Sequence, residues 1–312
     1  MIFFPNKNFK LTTKTAFSLI ELSVVILIIG VLVLGVTQGS RMMSEAKLKS
    51  ARSLTTSSPV ASIEGLAVWL DSTSENAFGI GTGGTYNNVS APGNGDKVGR
   101  WNDLNPTSTS KLDVAQSTSG NQPIYTTNAI NGLPALSFDG TDRSLSANNI
   151  TDKSFTLFAV FKTAVAGGTP HGYHGQPILY SDSSTNSNDI IPLAVAGGYP
   201  VITNGLSSGS DSTLTGTKKV NDNKAHLVTV YRNMDNGARK FYIDGVVDAP
   251  DNNGYQGAVL NAKTYILIGK NDVDGRYFNG NIAEIIIFSR VLQNQEIDSV
   301  NDYLKSKWSV KN

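Results

Sequence analysis

The sequence predicts a mainly β protein. A long N-terminal α-helix, embedded in part in a membrane, leads into a jelly-roll β-sandwich that closes with a short C-terminal helix. Three observations predict this. Phe17–Val36 is a nearly unbroken apolar run. From Ile63 onward, short β-branched or aromatic runs alternate with Gly, Asn, Asp and Ser clusters. Near the end, Ile297, Val300, Leu304 and Trp308 recur at helical spacing.

The chain has 312 residues, net charge +1, no cysteine and three histidines. Without cysteine there are no disulfides, thiolate metal sites or cysteine nucleophiles. The balanced charge lacks the basic stripe of a nucleic-acid binder, so no nucleic-acid partner is expected. The average conceals an asymmetry. Residues 1–16 carry Lys7, Lys10 and Lys14 and no acid, 17–53 carry a further net +2, and the remainder therefore carries −4.

The run Phe17–Val36 has one charge, Glu21, across twenty residues. At about 1.5 Å rise per residue this matches a hydrocarbon core of ~30 Å. Lysines before it and acid excess after it place the N-terminus in the cytoplasm and the bulk outside, in the periplasm or beyond. A cleaved secretory signal is the alternative, but the run exceeds an ordinary h-region and no small-x-small site follows it. Met42–Ser53 continues the helical pattern, with Glu45 and Lys49 at i,i+4.

Lys14-Thr15-Ala16-Phe17-Ser18-Leu19-Ile20-Glu21-Leu22 resembles the prepilin processing motif of type IV pilins and type II secretion pseudopilins. The resemblance implies cleavage between Ala16 and Phe17 by a prepilin peptidase, N-methylation of Phe17, and an assembly role for Glu21. Ala16 departs from the usual glycine but is also small. Independently of the family, a carboxylate inside lipid costs a few kcal/mol and calls for a partner. The free amine of a neighbouring subunit's Phe17 would serve. The domains expected are a leader (1–16), an assembly helix (17–53), a linker (54–62) broken by Pro59, and a sandwich (63–312).

The strand-like runs are 65–70, 154–162, 225–232, 239–247, 264–270 and 283–289. Asp244-Gly245 marks a hairpin turn within one of them. GLAVWLD, VGRWNDLN, INGLPALSFDGTDRSL, SFTLFAVFK, HLVTVYRN, KFYIDGVV and the closing FNGNIAEIIIFSRVLQNQEIDSVNDYLKSKW together resemble the concanavalin A-like lectin/glucanase superfamily, in its laminin-G-like branch. In the closing segment Glu284 alternates with apolar residues, and the stripe Ile297, Val300, Leu304, Trp308 should dock on a sheet. Gln293 replaces the usual Ser or Thr cap, so the helix start is expected to fray.

Four short motifs resist a catalytic reading. Glu296-Ile297-Asp298 lacks the second glutamate of a glucanase strand and sits in a helical pattern, where i and i+2 diverge. Gly205–Gly209 matches G-x-S-x-G without a helix behind it. Gly79–Gly84 matches GxGxxG but opens no helix and reads as a flexible loop. His171 and His174 stand in a Gly/Pro-rich loop without a carboxylate beside them and read as a surface pair. Trp69 and Trp101 read as core. Asp139 and Asp142 in FDGTD, and Asp272 and Asp274 in NDVDG, form oxygen-rich turns. They are the candidate calcium ligands, and calcium is the one cofactor considered, although no twelve-residue loop template is present.

The resemblances together imply a minor or tip pilin-like subunit that is not an enzyme. It would assemble with other pilin or pseudopilin subunits from the inner membrane and reach the cell surface in a pilus. Its sandwich would bind a glycan or other surface ligand for adhesion. A type II secretion pseudopilin shares the same N-terminal motif. A pilin-anchored polysaccharide-degrading enzyme would need a paired-carboxylate strand, which the sequence does not offer.

Overall fold

The computed structural model describes residues 18–82, 85–88, 92–182, 190–205, 211–251 and 264–311. Ala16 and Phe17 lie outside them. The chain divides into two compact units, one ending at Ala46 and one beginning at Lys47.

The first helix, α1 (Leu19–Thr56), starts on a capping box. The Ser18 N–H donates to Glu21 Oε2 (2.9 Å), and the Glu21 N–H donates to Ser18 Oγ (3.2 Å). Two N–H groups that a helix start leaves unpaired are thereby satisfied reciprocally. In the first unit the apolar side chains of this helix are exposed, Leu27 at 67% and Leu34 at 64%. Among the described residues it is one helix long and apolar enough to cross a membrane.

In the second unit, α1 continues to Thr56, three residues past the expected end at Ser53. The helix end and the residues after it are tied into the second unit. Arg52 Nε donates to the Thr73 carbonyl (2.8 Å), Thr55 Oγ1 donates to Asp71 Oδ2 (2.9 Å), and Val60 is fully buried in a 3₁₀ turn, Val60–Ser62. Side-chain anchors to the end of the first strand and the turn after it hold the last turns of the helix.

Among the described residues two large antiparallel sheets follow, with a two-stranded ribbon that pairs Lys270–Asn271 with Arg276–Tyr277. Among the described residues one has eight strands, in the order Val246–Asp251, Arg239–Ile243, Ala225–Arg232, Phe155–Lys162, Asn279–Phe288, Leu133–Asp139 and Ile124–Ile130, with Leu66–Asp71 also paired to Asn279–Phe288. The other has ten, in the order Asp211–Thr215, Tyr199–Gly205, Ile190–Ala196, Gln176–Ser181, Tyr265–Ile268, Leu145–Asn148, Val114–Ala115, Arg100–Trp101, Phe78–Thr82 and Thr85–Asn88. Of the GxGxxG stretch expected to be a flexible loop, Gly79–Thr82 is strand, with Gly79 opposite Asn88 and Thr82 opposite Thr85, while Gly83 and Gly84 lie outside the described residues. Backbone pairing overrides its glycine content. The Asp244-Gly245 turn forms as expected, with φ of 55° and 83°, the left-handed values that a two-residue hairpin turn requires.

Strand period explains the layers. In Phe155–Lys162, Phe155, Leu157, Ala159 and Phe161 enter the core between the sheets, while Phe158 and Val160 face the other way. Both faces are buried, so the strand reads as a continuous apolar run. What covers the far face is α2 (Asn294–Trp308), which docks through Ile297, Val300, Leu304 and Trp308 as its spacing predicts. Its start does not fray. Glu296 Oε2 accepts the Gln293 N–H (2.8 Å), and Arg290 holds the same carboxylate bidentately at 2.9 and 2.6 Å. Glu296, set aside as a catalytic residue from sequence, is thus the residue that caps α2.

Candidate functional site

The ten-stranded sheet presents its outer face as the candidate ligand surface. Leu179, Leu193 and Ile202 point into the core, so Tyr180, Ala194 and Val201 must point outward. Tyr173, from the 3₁₀ turn Gly172–His174, packs onto that outward cluster. It also stacks on His171 (ring centroids 5.5 Å apart) and meets His174 edge-on (4.4 Å). Thr169 Oγ1 lies 2.6 Å from His174 Nδ1. The two histidines read as a surface pair thus belong to an aromatic cluster. The loop reaches this position because Gly167 has φ +73° and a Cβ there would lie 2.4 Å from the Val195 carbonyl oxygen.

Beside the cluster lies a cleft of about 610 Å³, lined by Gly140, Val165–Gly168, His174–Gln176 and Gly275–Tyr277. Its lining brings Tyr277, Arg276 and His174 together with glycines, whose bare backbone a ligand can approach closely. Such a mixture of aromatic surface and convergent polar groups suits a small polar ligand. Nearby, Tyr180 donates to Asp182 Oδ2 (2.6 Å). Burial pushes the Tyr180 phenol up, with the charges of Asp182, Asp274 and Asp272 adding to it. Burial and the Asp182 charge likewise raise the Asp211 carboxyl, against the pull of His171. Acidic side chains thus gather around Tyr180, whereas the lining of the cleft itself holds no carboxylate.

The four candidate calcium ligands fall in two separate turns. Asp139 Oδ1 accepts the N–H groups of Thr141 (2.9 Å) and Asp142 (3.3 Å), and Arg143 Nε sits 3.1 Å from Oδ2. Burial raises the Asp139 carboxyl only partly, and these donors hold it below the usual range. In the second turn the organising residue is Asn271, whose Oδ1 accepts from Val273 (2.9 Å) and Asp274 (3.0 Å). Asp272 accepts from Tyr265 Oη (2.9 Å), and Asp274 accepts from Asn271 Nδ2 (3.1 Å). Among the described residues no three His, Asp or Glu side chains converge on a metal position.

Sequence reasoning missed the polar centre beneath α2. Glu284 accepts four hydrogen bonds: from Trp69 Nε1 (2.8 Å), Tyr303 Oη (2.7 Å), Lys307 Nζ (2.7 Å) and Trp308 Nε1 (2.7 Å). Asp71 stands opposite Glu284 across the strand pair, and Lys307 Nζ reaches it at 2.8 Å. Thr73 and Thr55 donate to the remaining Asp71 lone pairs. Burial pushes the Glu284 carboxyl up; the Lys307 charge pulls it back and the Asp71 charge adds to the rise. The expected alternation at Glu284 is broken by a bulge between Ile282 and Glu284. Without it, Glu284 would share the side of Ile282 and enter the apolar core; with it, Ala283 and Glu284 both face α2. Trp69 therefore packs and donates, whereas Trp101 is core alone and stacks on Phe78 at 6.1 Å. Of the Gly205–Gly209 motif, Gly205 ends a strand, and Leu206–Gly209 lie outside the described residues.

This sandwich, helix-backed on one sheet and bearing loops on the other, defines a lectin-type architecture. The chain matches the concanavalin A-like lectin/glucanases superfamily over residues 139–298, and it belongs to that superfamily. No curated protein matches it. Solved structures it is similar to include the receptor-binding domain of the botulinum neurotoxin C/D mosaic serotype (13% identity, 77% of this chain and 51% of that one, TM-score 0.47). A second is the binding domain of botulinum neurotoxin DC in complex with rat synaptotagmin II (19%, 64% and 50%, TM-score 0.45). A third is from work on botulinum neurotoxin type C, whose cell entry depends on two ganglioside molecules (18%, 62% and 49%, TM-score 0.44). The chain spans about half the length of these structures.

Proposed function

We propose that this chain is a pilin-like subunit that assembles through α1 and displays its sandwich for adhesion or glycan binding. The supporting observation is the exposed apolar surface of α1 in the first unit, with Glu21 at its start. Outside lipid, such a surface demands burial against other helices. The motif Phe17-Ser18-Leu19-Ile20-Glu21 names the partners: copies of the same kind of helix, after a prepilin peptidase has cut between Ala16 and Phe17 at the inner membrane. Ser18 and Glu21 bond one another, so in a single chain the carboxylate serves as a cap. In a filament it would turn to the methylated amine of a neighbour's Phe17. The secretion pseudopilin reading uses the same step. The enzyme reading gains no support, since Glu284 is sealed by four donors and Glu296 caps α2.

The test is Glu21→Leu in the native host. Membrane insertion should persist while recovery in sheared filaments falls at least tenfold. Recovery at the wild-type level overturns the assembly role. Mass spectrometry of the mature chain should find an N-methylated Phe17 at its start. A glycan array on the detergent-solubilised full chain, run with and without calcium, tests the display half of the proposal.

A further inference from the structure

A second pocket, of about 590 Å³, shares no lining residue with the cleft described above, and its lining is rich in lysine. Its lining carries Lys162, Lys218, Lys224, Lys311 and His226, with Asp222 as the acid among them. The polar residues Asn131, Asn223 and Ser309 complete the wall. Chain segments far apart in sequence supply these cations: the end of strand Phe155–Lys162, the loop before Ala225–Arg232, and the residues after α2.

His226 is 5% exposed, and both its ring nitrogens face carboxylates: Nδ1 lies 3.0 Å from Asp244 Oδ2, and Nε2 lies 3.0 Å from Asp222 Oδ1. Two acceptors on one imidazole require two N–H donors, which only the imidazolium has. Asp244 is consumed further by Lys218 Nζ (2.7 Å) and the Leu227 N–H (2.9 Å). Asp222 also takes the Lys224 N–H (2.9 Å) and lies 3.4 Å from Lys224 Nζ. The two carboxylates thus spend their acceptor capacity inside the protein. Lys162 Nζ rests on a backbone carbonyl, that of Ala129, which supplies no negative charge. Counting Asp244 with the lining groups, five cations stand against two anions. The local surplus is positive, in a region (54–312) that carries −4 in total. Asn131 Nδ2 meanwhile caps the Trp308 carbonyl (2.7 Å), occupying a helix-end acceptor that would oppose an anion.

We propose that this pocket binds the oxyanion of a small acidic saccharide, a sugar bearing sulfate, phosphate or carboxylate. The surplus lysines supply the charge, and the amide and hydroxyl groups of Asn223 and Ser309 suit sugar hydroxyls. The volume falls within the range of small-molecule sites. The site is independent of α1 assembly, deepens the glycan-binding half of the proposed function, and shares no lining residue with the cleft of the ten-stranded sheet.

Calorimetric titration of the full chain in an uncharged detergent at low salt tests this. The probes are a sulfated disaccharide, its unsulfated parent and inorganic sulfate. The sulfated disaccharide should saturate, inorganic sulfate should bind more weakly, and the unsulfated parent should give no saturable heat. Binding should weaken as salt rises. A double variant, Lys224→Gln with Lys311→Gln, should weaken binding of the sulfated probe at least tenfold, while Lys224→Arg with Lys311→Arg stays within threefold of wild type. Absence of saturable binding, or an unchanged affinity in the Gln variant, overturns the site. Equal affinity for the unsulfated parent overturns its charge basis, and equal affinity for inorganic sulfate overturns the saccharide.

Discussion

Two ionic clusters hold opposite ends of the functional question. Under α2, Asp71, Glu284 and Lys307 are sealed from water, the lysine and both carboxylates having side chains 0% exposed. At the open pocket, His226 and Asp244 are nearly as buried, but Lys218 and Lys224 reach into solvent, at 43% and 79% side-chain exposure. The same chemistry therefore does two jobs. Where water is excluded, charge fixes geometry and has no acceptor or donor left for a ligand. Where one side stays wet, the buried members hold the frame and the exposed lysines remain available.

The largest expected effect is at the sealed cluster. Lys307→Met leaves two carboxylates facing each other across a strand pair with no cation between them, and should cost about 3–5 kcal/mol. The midpoint of denaturant unfolding checks this, and a loss below about 1 kcal/mol would remove the distinction between the clusters.

An intermediate effect belongs to pH. The His226 pKa is raised; burial opposes the charge, and the bonds and charges of Asp244 and Asp222 outweigh it. Lys218 and Lys224 face the same carboxylates. A raised histidine contributes stability that is complete below its unfolded pKa of about 6.5 and is lost as pH rises through the folded value. The Asp244 carboxyl is lowered; burial alone would raise it, and His226 and Lys218 together overcome that. Its contribution is present above the ordinary carboxylate range and fades only as pH falls through the depressed value. Thermal stability should therefore decline from about pH 6.5 upward in the wild type, and the decline should vanish in His226→Phe. A flat profile in the wild type would mean that the imidazole is neutral in the fold.

The smallest effect sharpens the contrast. Lys224→Gln removes an exposed partner of Asp222 and should change stability by less than about 1 kcal/mol, within the range of surface ion pairs, although it should matter for anion binding. A larger loss of stability would place Lys224 in the frame and not at the mouth of the pocket.

Much of this molecule is legible in its sequence because the signals are periodic and local. The apolar run of α1 has one possible length match, and the stripe Ile297, Val300, Leu304, Trp308 names its buried face without reference to anything else. Asp244-Gly245 needs only its own backbone to make a turn. The candidate cleft was not legible. His174, Gly140 and Tyr277 are far apart in the chain and meet through sheet order alone. The capping role of Glu21 was written in Ser18-Leu19-Ile20-Glu21, a capping box hidden by the more conspicuous motif around it.

The sequence by itself determined the division into an apolar helix and a strand-rich body, the six most apolar strand runs, and the apolar face of α2, because each follows from local apolar patterning or a repeat of 3.6 or 2 residues. The tertiary structure decided where the charges went. A single bulge at Ala283 turned Glu284 from the apolar core to α2, and only there could Asp71, Trp69, Tyr303, Lys307 and Trp308 meet it. Charge interactions depend on distance in space and on the exclusion of water, and neither can be read along the chain.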